Sequence, residues 1–380
     1  MSDRKTEAYW SESQQRWQCL VQREGVRKAF YSTKKNSLPD CKKGKIEAEH
    51  KADAWLDGEN VNEKTPCSRL LDKYVEDVKS RTGTSNSVQV DKFVHLYIKP
   101  GIGKIKIGRL NQGDLQDVLN KAYRDRKLSD KTLRCLRATE TQFVKYCRKH
   151  QYTKLYPEDL EIPSGAARSQ RRPLAPDDLT TLFSVSTTKW HGKDIEEPFI
   201  YAYRFAAVTG LRPGELVGLQ WKDINKNVYT IRRSINGYGE VTSGKNENAN
   251  RSGELGEIAQ GILEDQRHAL AERRVIGLYV FPDSDGGPIS YKRYWNHWKR
   301  FCAVHDIKEG TKPYELRHTF VSINDEMPEG LKKMVMGHSK NMDTEGVYGH
   351  EMKGQRAKAA RYIDAAFDEF VHPPKKEEVK

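Results

Sequence analysis

The run IPSGAARSQRRP, residues 162–173, constrains the fold of this chain more than any other segment. Pro163 and Pro173 bracket small residues and three arginines, which offer neither an apolar stripe for a helix nor the alternation of a strand. A stretch of this kind reads as an extended basic linker between two bodies that move relative to each other. The 380 residues therefore divide, and each side is long enough to bury a core of its own. Residues 164–172 are taken as the linker and 173–380 as a new domain with a C-terminal tail. Pro176, Asp177 and Asp178 look like the first turn of its first helix, with proline pre-set in φ and carboxylates near the positive end of the dipole.

Ahead of the linker the pattern changes once. Residues 16–32 alternate about Glu24-Gly25, with Trp17, Cys19 and Val21 on one face, which predicts a β-hairpin within a small N-terminal sheet. Ile46–Leu56 supplies a covering helix through Ala52, Trp55 and Leu56, and Arg16, Arg23, Arg27, Lys28, Lys34 and Lys35 decorate the unit. From Pro66 to Pro163 the signals are helical. Four helices fit, with Ser85, Asn111 and Ser129 as N-caps and Pro100-Gly101 as a break. In the last of them Leu133, Leu136, Phe143 and Cys147 share a side, while Arg134, Arg137, Lys145 and Arg148 form a basic stripe.

Charge narrows the partner. The chain carries 66 Lys and Arg against 53 Asp and Glu, a net +13, and residues 66–163 alone hold 20 against 12. Such an excess points to a polyanion, with nucleic acid first. No apolar run reaches the roughly 18 residues of a membrane span, and Met1–Glu7 is polar, so the expectation is a cytosolic protein without membrane association. The six cysteines form no C-x-x-C pair, which predicts reduced, structural thiols and no metal site.

Four segments carry possible chemistry. In FAAVTGLRPGELVGLQW, 205–221, Gly210 ends one helix and Pro213 starts the next, which holds Arg212 at a helix N-terminus where guanidinium and backbone N–H groups both favour phosphate. Strand-like Asn227–Ile235 leads into 242–255, a Gly/Asn/Ser-rich hairpin tip carrying Lys245. PYELRHTFVS, 313–322, begins a helix at Pro313 with Tyr314 and Arg317 at i and i+3, on one face. MVMGHSKNMDTEGVYGH, 334–350, places Gly337-His338 ten residues before Tyr348.

In order and spacing these segments resemble the tyrosine recombinase, or phage-type integrase, family. TGLRPGEL is similar to its first box, residues 245–251 to its β-hairpin lysine element, YELRH to its second box, and MGHSKNMDTEGVY to its closing element. Tyr314 stands where the family commonly has histidine. The resemblance spans 173–371. It implies a multidomain α+β chain: a small N-terminal β-sheet arm-binding unit over 1–60 (three strands plus a helix), an all-α core-binding domain over 66–163, and a mainly α catalytic domain with a small β-sheet.

The resemblance also implies a site-specific recombinase of a mobile element, working through a 3′-phosphotyrosine and a Holliday junction with no metal, ATP or other cofactor. Tyr348 is then the nucleophile, Arg212 and Arg317 clamp the phosphate, Lys245 is the general acid, His338 supports, and Tyr314 is a supporting donor. DNA contacts are expected from Arg16, Arg27, Lys28, Arg134, Arg137, Lys145, Arg148, Arg168, Arg171 and Arg172. Implied partners are double-stranded DNA at core and arm-type sites, a homotetramer on that DNA, an excisionase and a host DNA-bending protein. The apolar stripe within 354–371 packs either on its own domain or, by the resemblance, on a neighbouring protomer. A non-catalytic DNA-binding protein on the same scaffold is the competing reading, and a metal-dependent nuclease lacks any paired-carboxylate spacing.

Overall fold

The computed structural model describes residues 6–23, 25–57, 63–168, 170, 172–242, 251–308, 311–337 and 354–373. Contacts group the chain into two compact units, Met1–Ser169 and Gln170–Lys380, a division that falls within residues 164–172. No helix among the described residues is long and apolar enough to cross a membrane.

The first unit opens with an antiparallel sheet of β1 (Tyr9–Ser11), β2 (Arg16–Arg23) and β3 (Val26–Tyr31), in that order. Gly25, at φ +77°, turns the chain between β2 and β3 as only glycine does cheaply. The register pairs Cys19 with Phe30 and Val21 with Lys28, and α1 (Lys42–Asp57) closes this face with Ala48, Ala52 and Trp55. Lys28 therefore lies on the helix side, its ammonium 5.2 Å from the centre of the Phe30 ring and 5.9 Å from that of Trp55. Arg16 and Arg27 share the opposite face with Tyr9, Gln18, Leu20, Gln22 and Tyr31, because side chains alternate along paired strands.

A separate core is built by α2 (Cys67–Arg81), α3 (Thr84–Phe93), α4 (Lys99–Ile102), α5 (Gln112–Arg126) and α6 (Asp130–Lys149). Asn111 caps α5 reciprocally with Asp114, and the Ser129 hydroxyl accepts from the Thr132 N–H at the start of α6. Two expectations change. The cap of α3 is the backbone of Gly83, whose carbonyl accepts from Asn86 and Ser87, so Ser85 lies inside the helix. Pro100-Gly101 is no break, since a π-helical turn over Val94–Ile98 carries α3 into α4. The Lys99 N–H reaches the Val94 carbonyl, and the widened turn accommodates a proline that lacks an N–H of its own.

The second unit comprises α7 (Pro176–Ser184), a hairpin of β4 (Thr187–Trp190) and β5 (Lys193–Glu196), α8 (Ile200–Thr209), α9 (Pro213–Gly218), β6 (Ile224–Asn225), β7 (Val228–Ile231), β8 (Ser234–Ile235), β9 (Val241–Thr242), β10 (Arg251–Glu254), α10 (Glu257–Glu272), α11 (Tyr291–Val304), α12 (Glu315–Ile323), α13 (Glu329–Met336) and α14 (Gln355–Val371). Helix α8 is buried on almost every side, and Tyr203 and Phe205 join Trp298, Phe301, Phe320 and Phe367 in one large core. Burial of each such ring contributes about 2–3 kcal/mol.

The small sheet runs β10-β7-β6, with β8 and β9 paired as a separate hairpin. The single strand expected over Asn227–Ile235 is thus split at Arg232 and Arg233, where the Arg233 guanidinium pairs with buried Asp223 and donates to the Gly218 carbonyl. Part of the expected loop is strand: Arg251–Glu254 pairs in register with Val228–Ile231, while residues 243–250 lie outside the described residues. Helix α14 packs on its own unit: Phe367 meets Phe183 of α7, and Asp364 accepts from the first N–H groups of α10 at 2.7 and 3.3 Å.

Candidate active site

The site is assembled where four helices end or begin. Gly210 closes α8 at φ +62°, and a Cβ there would lie 2.7 Å from the Phe320 ring and 3.0 Å from the Met336 sulfur, so glycine alone lets α8 approach α12 and α13. Arg212 follows as the N-cap of α9, with Pro213 in the first turn. The carboxylate of Glu215, rather than free N–H groups of this short helix, occupies its start. One Glu215 oxygen takes the Arg212 N–H at 3.0 Å and the other takes Arg212 Nη1 at 2.8 Å. The Arg212 side chain remains 37% exposed.

Arg251, the first residue of β10, donates both terminal nitrogens to the same carboxylate, at 3.0 and 2.8 Å, and its Nε to the Val335 carbonyl at 2.9 Å. Glu215 is therefore saturated by guanidinium and backbone donors and has no lone pair left for a metal. Burial alone would push its carboxyl up, but the hydrogen bonds and charge of Arg251, joined by Arg212, hold it down at about 2. Gly337 ends α13 at φ +61°, and a Cβ there would lie 2.8 Å from Arg251 Cδ.

Arg317, in the first turn of α12, is only 2% exposed. Its Nη1 donates to the Gly210 carbonyl and its Nη2 to that of Met336, both at 2.7 Å, which places the guanidinium between the negative ends of α8 and α13. Burial, then the opposing charge of Arg212, lowers its pKa to about 10; Arg251 opposes as well, against the attraction of Glu215. Each terminal nitrogen keeps a second N–H beyond these bonds. Two guanidinium groups thus bind one carboxylate and a third, Arg317, lies within its electrostatic reach, leaving two net positive charges among these four side chains.

Of the residues expected in the site, the structure brings Arg212 and Arg317 together. Tyr314 sits at the rim, 42% exposed at the start of α12, its ring 5.3 Å from that of His318. Lys245, His338 and Tyr348 lie outside the described residues. The sequence reading missed Glu215 and Arg251. Glu215 stands three residues after Arg212, at capping-box spacing, whereas only the long-range pairing of β10 with β7 reveals Arg251.

The expected DNA contacts divide. Arg134 pairs with Asp130 at 2.7 Å, Arg137 donates to the Leu160 carbonyl at 2.8 Å, and the Arg148 guanidinium lies 3.2 Å from the centre of the Tyr156 ring. Arg137 and Arg148 are thus engaged by the chain itself, whereas Arg134, though ion-paired, is exposed like Lys145, Arg168 and Arg172, and Arg171 is outside the described residues. A further cationic surface was not anticipated: α11 exposes Lys292, Asn296 and Lys299 at helical spacing, beside Trp295 packed edge-on to Tyr291. Its signal was the period in YKRYWNHWKR.

Residues 173–355 match the model of the Phage integrase family. The chain is 28% identical over 176 residues to the ICEBs1 integrase of Bacillus subtilis (strain 168), covering 43% of this chain and 47% of that protein. It is 30% identical over 152 residues to the tyrosine recombinase XerD of Xanthomonas campestris pv. campestris, covering 37% and 44%. The chain thus spans just under half the length of these relatives. In fold it is similar to the Tn1549 transposon integrase in complex with transposon right end DNA (TM-score 0.61, 17% identity, 80% of this chain and 99% of that one). A lambda integrase tetramer bound to a Holliday junction is also similar (TM-score 0.55, 16% identity, 93% and 98%). Residues 173–355 thus carry a domain of the Phage integrase family, and the chain shares its fold along most of its length with two integrases.

Proposed function

We propose that this chain is a site-specific DNA recombinase that cuts and rejoins strands through a 3′-phosphotyrosine at Tyr348, integrating and excising a mobile element. The observation that carries the reading is the charge of the pocket. Three guanidinium groups against one carboxylate leave an excess of two positive charges among these four side chains. A phosphodiester brings one negative charge, and attack by a phenolate raises it to two at the pentavalent transition state, so the pocket matches the transition state better than the substrate. The depression of Arg317 to about 10 represents about 3 kcal/mol of unfavourable charging that a bound phosphate would relieve.

Arg212, partly exposed, and Arg317, fixed between two helix ends, would each hold a non-bridging oxygen. Tyr348 Oη forms a bond to phosphorus as the P–O5′ bond breaks. The phenol's proton passes to water and the 5′-oxygen takes a proton from Lys245, and ligation reverses both transfers. Conservation of the ester in phosphotyrosine removes any need for ATP. Tyr314 and His338 act as supporting hydrogen-bond donors.

DNA is held by the open face of the N-terminal sheet through Arg16 and Arg27, by Lys145, Arg168 and Arg172, and by α11 through Lys292 and Lys299. Four protomers assemble on paired core sites in the bacterial cytoplasm, with arm-type sites for the N-terminal sheet, and an excisionase and a DNA-bending protein set direction. A nicked suicide substrate, drawn from inverted repeats flanking the gene, tests the reading. The native chain is expected to trap a protease-sensitive covalent adduct without magnesium, and Tyr348→Phe none. An adduct that persists in Tyr348→Phe, or DNA binding with no adduct from the native chain, would favour another nucleophile or the non-catalytic reading respectively.

A further inference from the structure

The carboxylate of Glu215 is a hazard to the chemistry proposed above. It lies within hydrogen-bond reach of Arg212 and close enough to Arg317 to favour that guanidinium's charge, so it competes with phosphate for both groups. What restrains it is Arg251, whose two terminal nitrogens take both carboxylate oxygens in a fork while Nε is anchored on the Val335 carbonyl. The Arg251 side chain is 8% exposed, and Gly337 provides the space against which it packs. A guanidinium fork held at its third nitrogen has no freedom to turn toward an incoming phosphate. Arg251 is thus a partner for Glu215 rather than for DNA.

We propose that Arg251 is a positioning residue that limits Glu215 to a single bond with the Arg212 guanidinium, so that Arg212 keeps its remaining N–H groups, and Arg317 its charge, for phosphate. The proposal rests on the recombinase reading for its rate predictions, but the charge argument stands without it. Loss of Arg251 alone removes one positive charge and frees Glu215 to take Arg212 side-on, cutting the pocket from two net charges to one. Removal of Glu215 as well restores two, from Arg212 and Arg317. A merely structural role for Arg251 predicts instead that cleavage follows the folded fraction of each variant and that phosphate stabilises all three chains equally.

The test is single-turnover cleavage of a nicked substrate by the full chain at saturating DNA, with DNA affinity measured in parallel. Arg251→Met is expected to slow cleavage by about 10- to 100-fold with little change in DNA affinity, since misorientation by an ångström costs that much. Arg251→Lys recovers part of the loss. The decisive variant is Glu215→Gln/Arg251→Met, which is expected to cleave at least about tenfold faster than Arg251→Met, because the phosphate-facing charge returns. A double variant no faster than Arg251→Met, or an Arg251→Met chain that cleaves at the native rate, overturns the proposal. Inorganic phosphate separates this from failure of the recombinase reading. Its stabilisation of the native chain against heat should fall in Arg251→Met and return in the double variant even if no adduct ever forms, and equal stabilisation in all three chains overturns the proposal on its own.

Discussion

Replacement of Glu215 by Gln at neutral pH exposes the energetics of the pocket. The side chain is 4% exposed and its carboxyl is held at about 2 against an ordinary 4.5. That difference is worth about 3 kcal/mol of folding stability wherever the carboxylate is ionised in both states. The sign follows from the depression: the contribution is fully present above 4.5 and is lost as pH falls toward 2. By pH 3.5 it has shrunk to about 2 kcal/mol. Glu215→Gln removes the contribution and leaves Arg251 without its buried counter-charge, a loss of the size usual for a broken buried pair. For a domain of this size about 3 kcal/mol lowers the thermal midpoint by about 6–12 °C. Calorimetry of native and variant chains between pH 7.5 and 3.5 measures the gap. A midpoint shift below about 2 °C at neutral pH, or a gap that fails to narrow on acidification, would refute the reasoning.

Other predictions concern the rest of the chain. Glu140 is buried in α6 with neither oxygen hydrogen-bonded among the described residues, and burial raises its pKa well above 4.5. Its ionisation therefore costs nothing below pH 4.5 and up to about 1.4 kcal/mol for each pH unit above it, until the folded-state carboxyl titrates. Glu140→Gln should stabilise the chain more at pH 8 than at pH 5, and a gain independent of pH contradicts this. Burial pushes the Cys67 and Cys302 thiols up to about 12 and encloses Cys19 and Cys147, whereas Cys41 and Cys135 are half-exposed. A thiol reagent should titrate Cys41 and Cys135 rapidly in the native chain and the other four only in denaturant; rapid loss of all six contradicts that burial. Gly210→Ala, strained at φ +62° and forced against Phe320, should cost at least about 2 kcal/mol, measured by urea unfolding.

What could be read from the sequence was local. Asn111, Ser129, Gly210 and Pro213 end or begin helices for reasons contained within four residues, and the alternation around Cys19 and Val21 sufficed to orient the N-terminal sheet. Pro100 deceived because a widened turn several residues earlier absorbs it. Arg137 and Arg148 read as a basic stripe, yet their guanidinium groups are engaged by Leu160 and Tyr156 from a segment with no helical or strand pattern. Arg251 was hidden in a polar run: its partners Glu215 and Val335 are 36 and 84 residues away, and no spacing rule connects them. The pairing of Arg212 with Arg317 across 105 positions was suggested only by family resemblance, and the structure supplies its physical basis in the packing of α8, α12 and α13 about Gly210.

On the proposed mechanism Arg212 and Arg317 serve the charge of one scissile phosphate. A methylphosphonate at that position, with one non-bridging oxygen replaced by methyl, removes the charge they are held to neutralise. On ordinary DNA, Arg212→Ala and Arg317→Ala should each cleave about 10²–10³-fold slower than the native chain. On the neutral linkage, in the stereoisomer lacking the oxygen each would hold, the variants should approach the native rate. Equal impairment on both substrates would mean that these arginines do something other than bear the phosphate's charge.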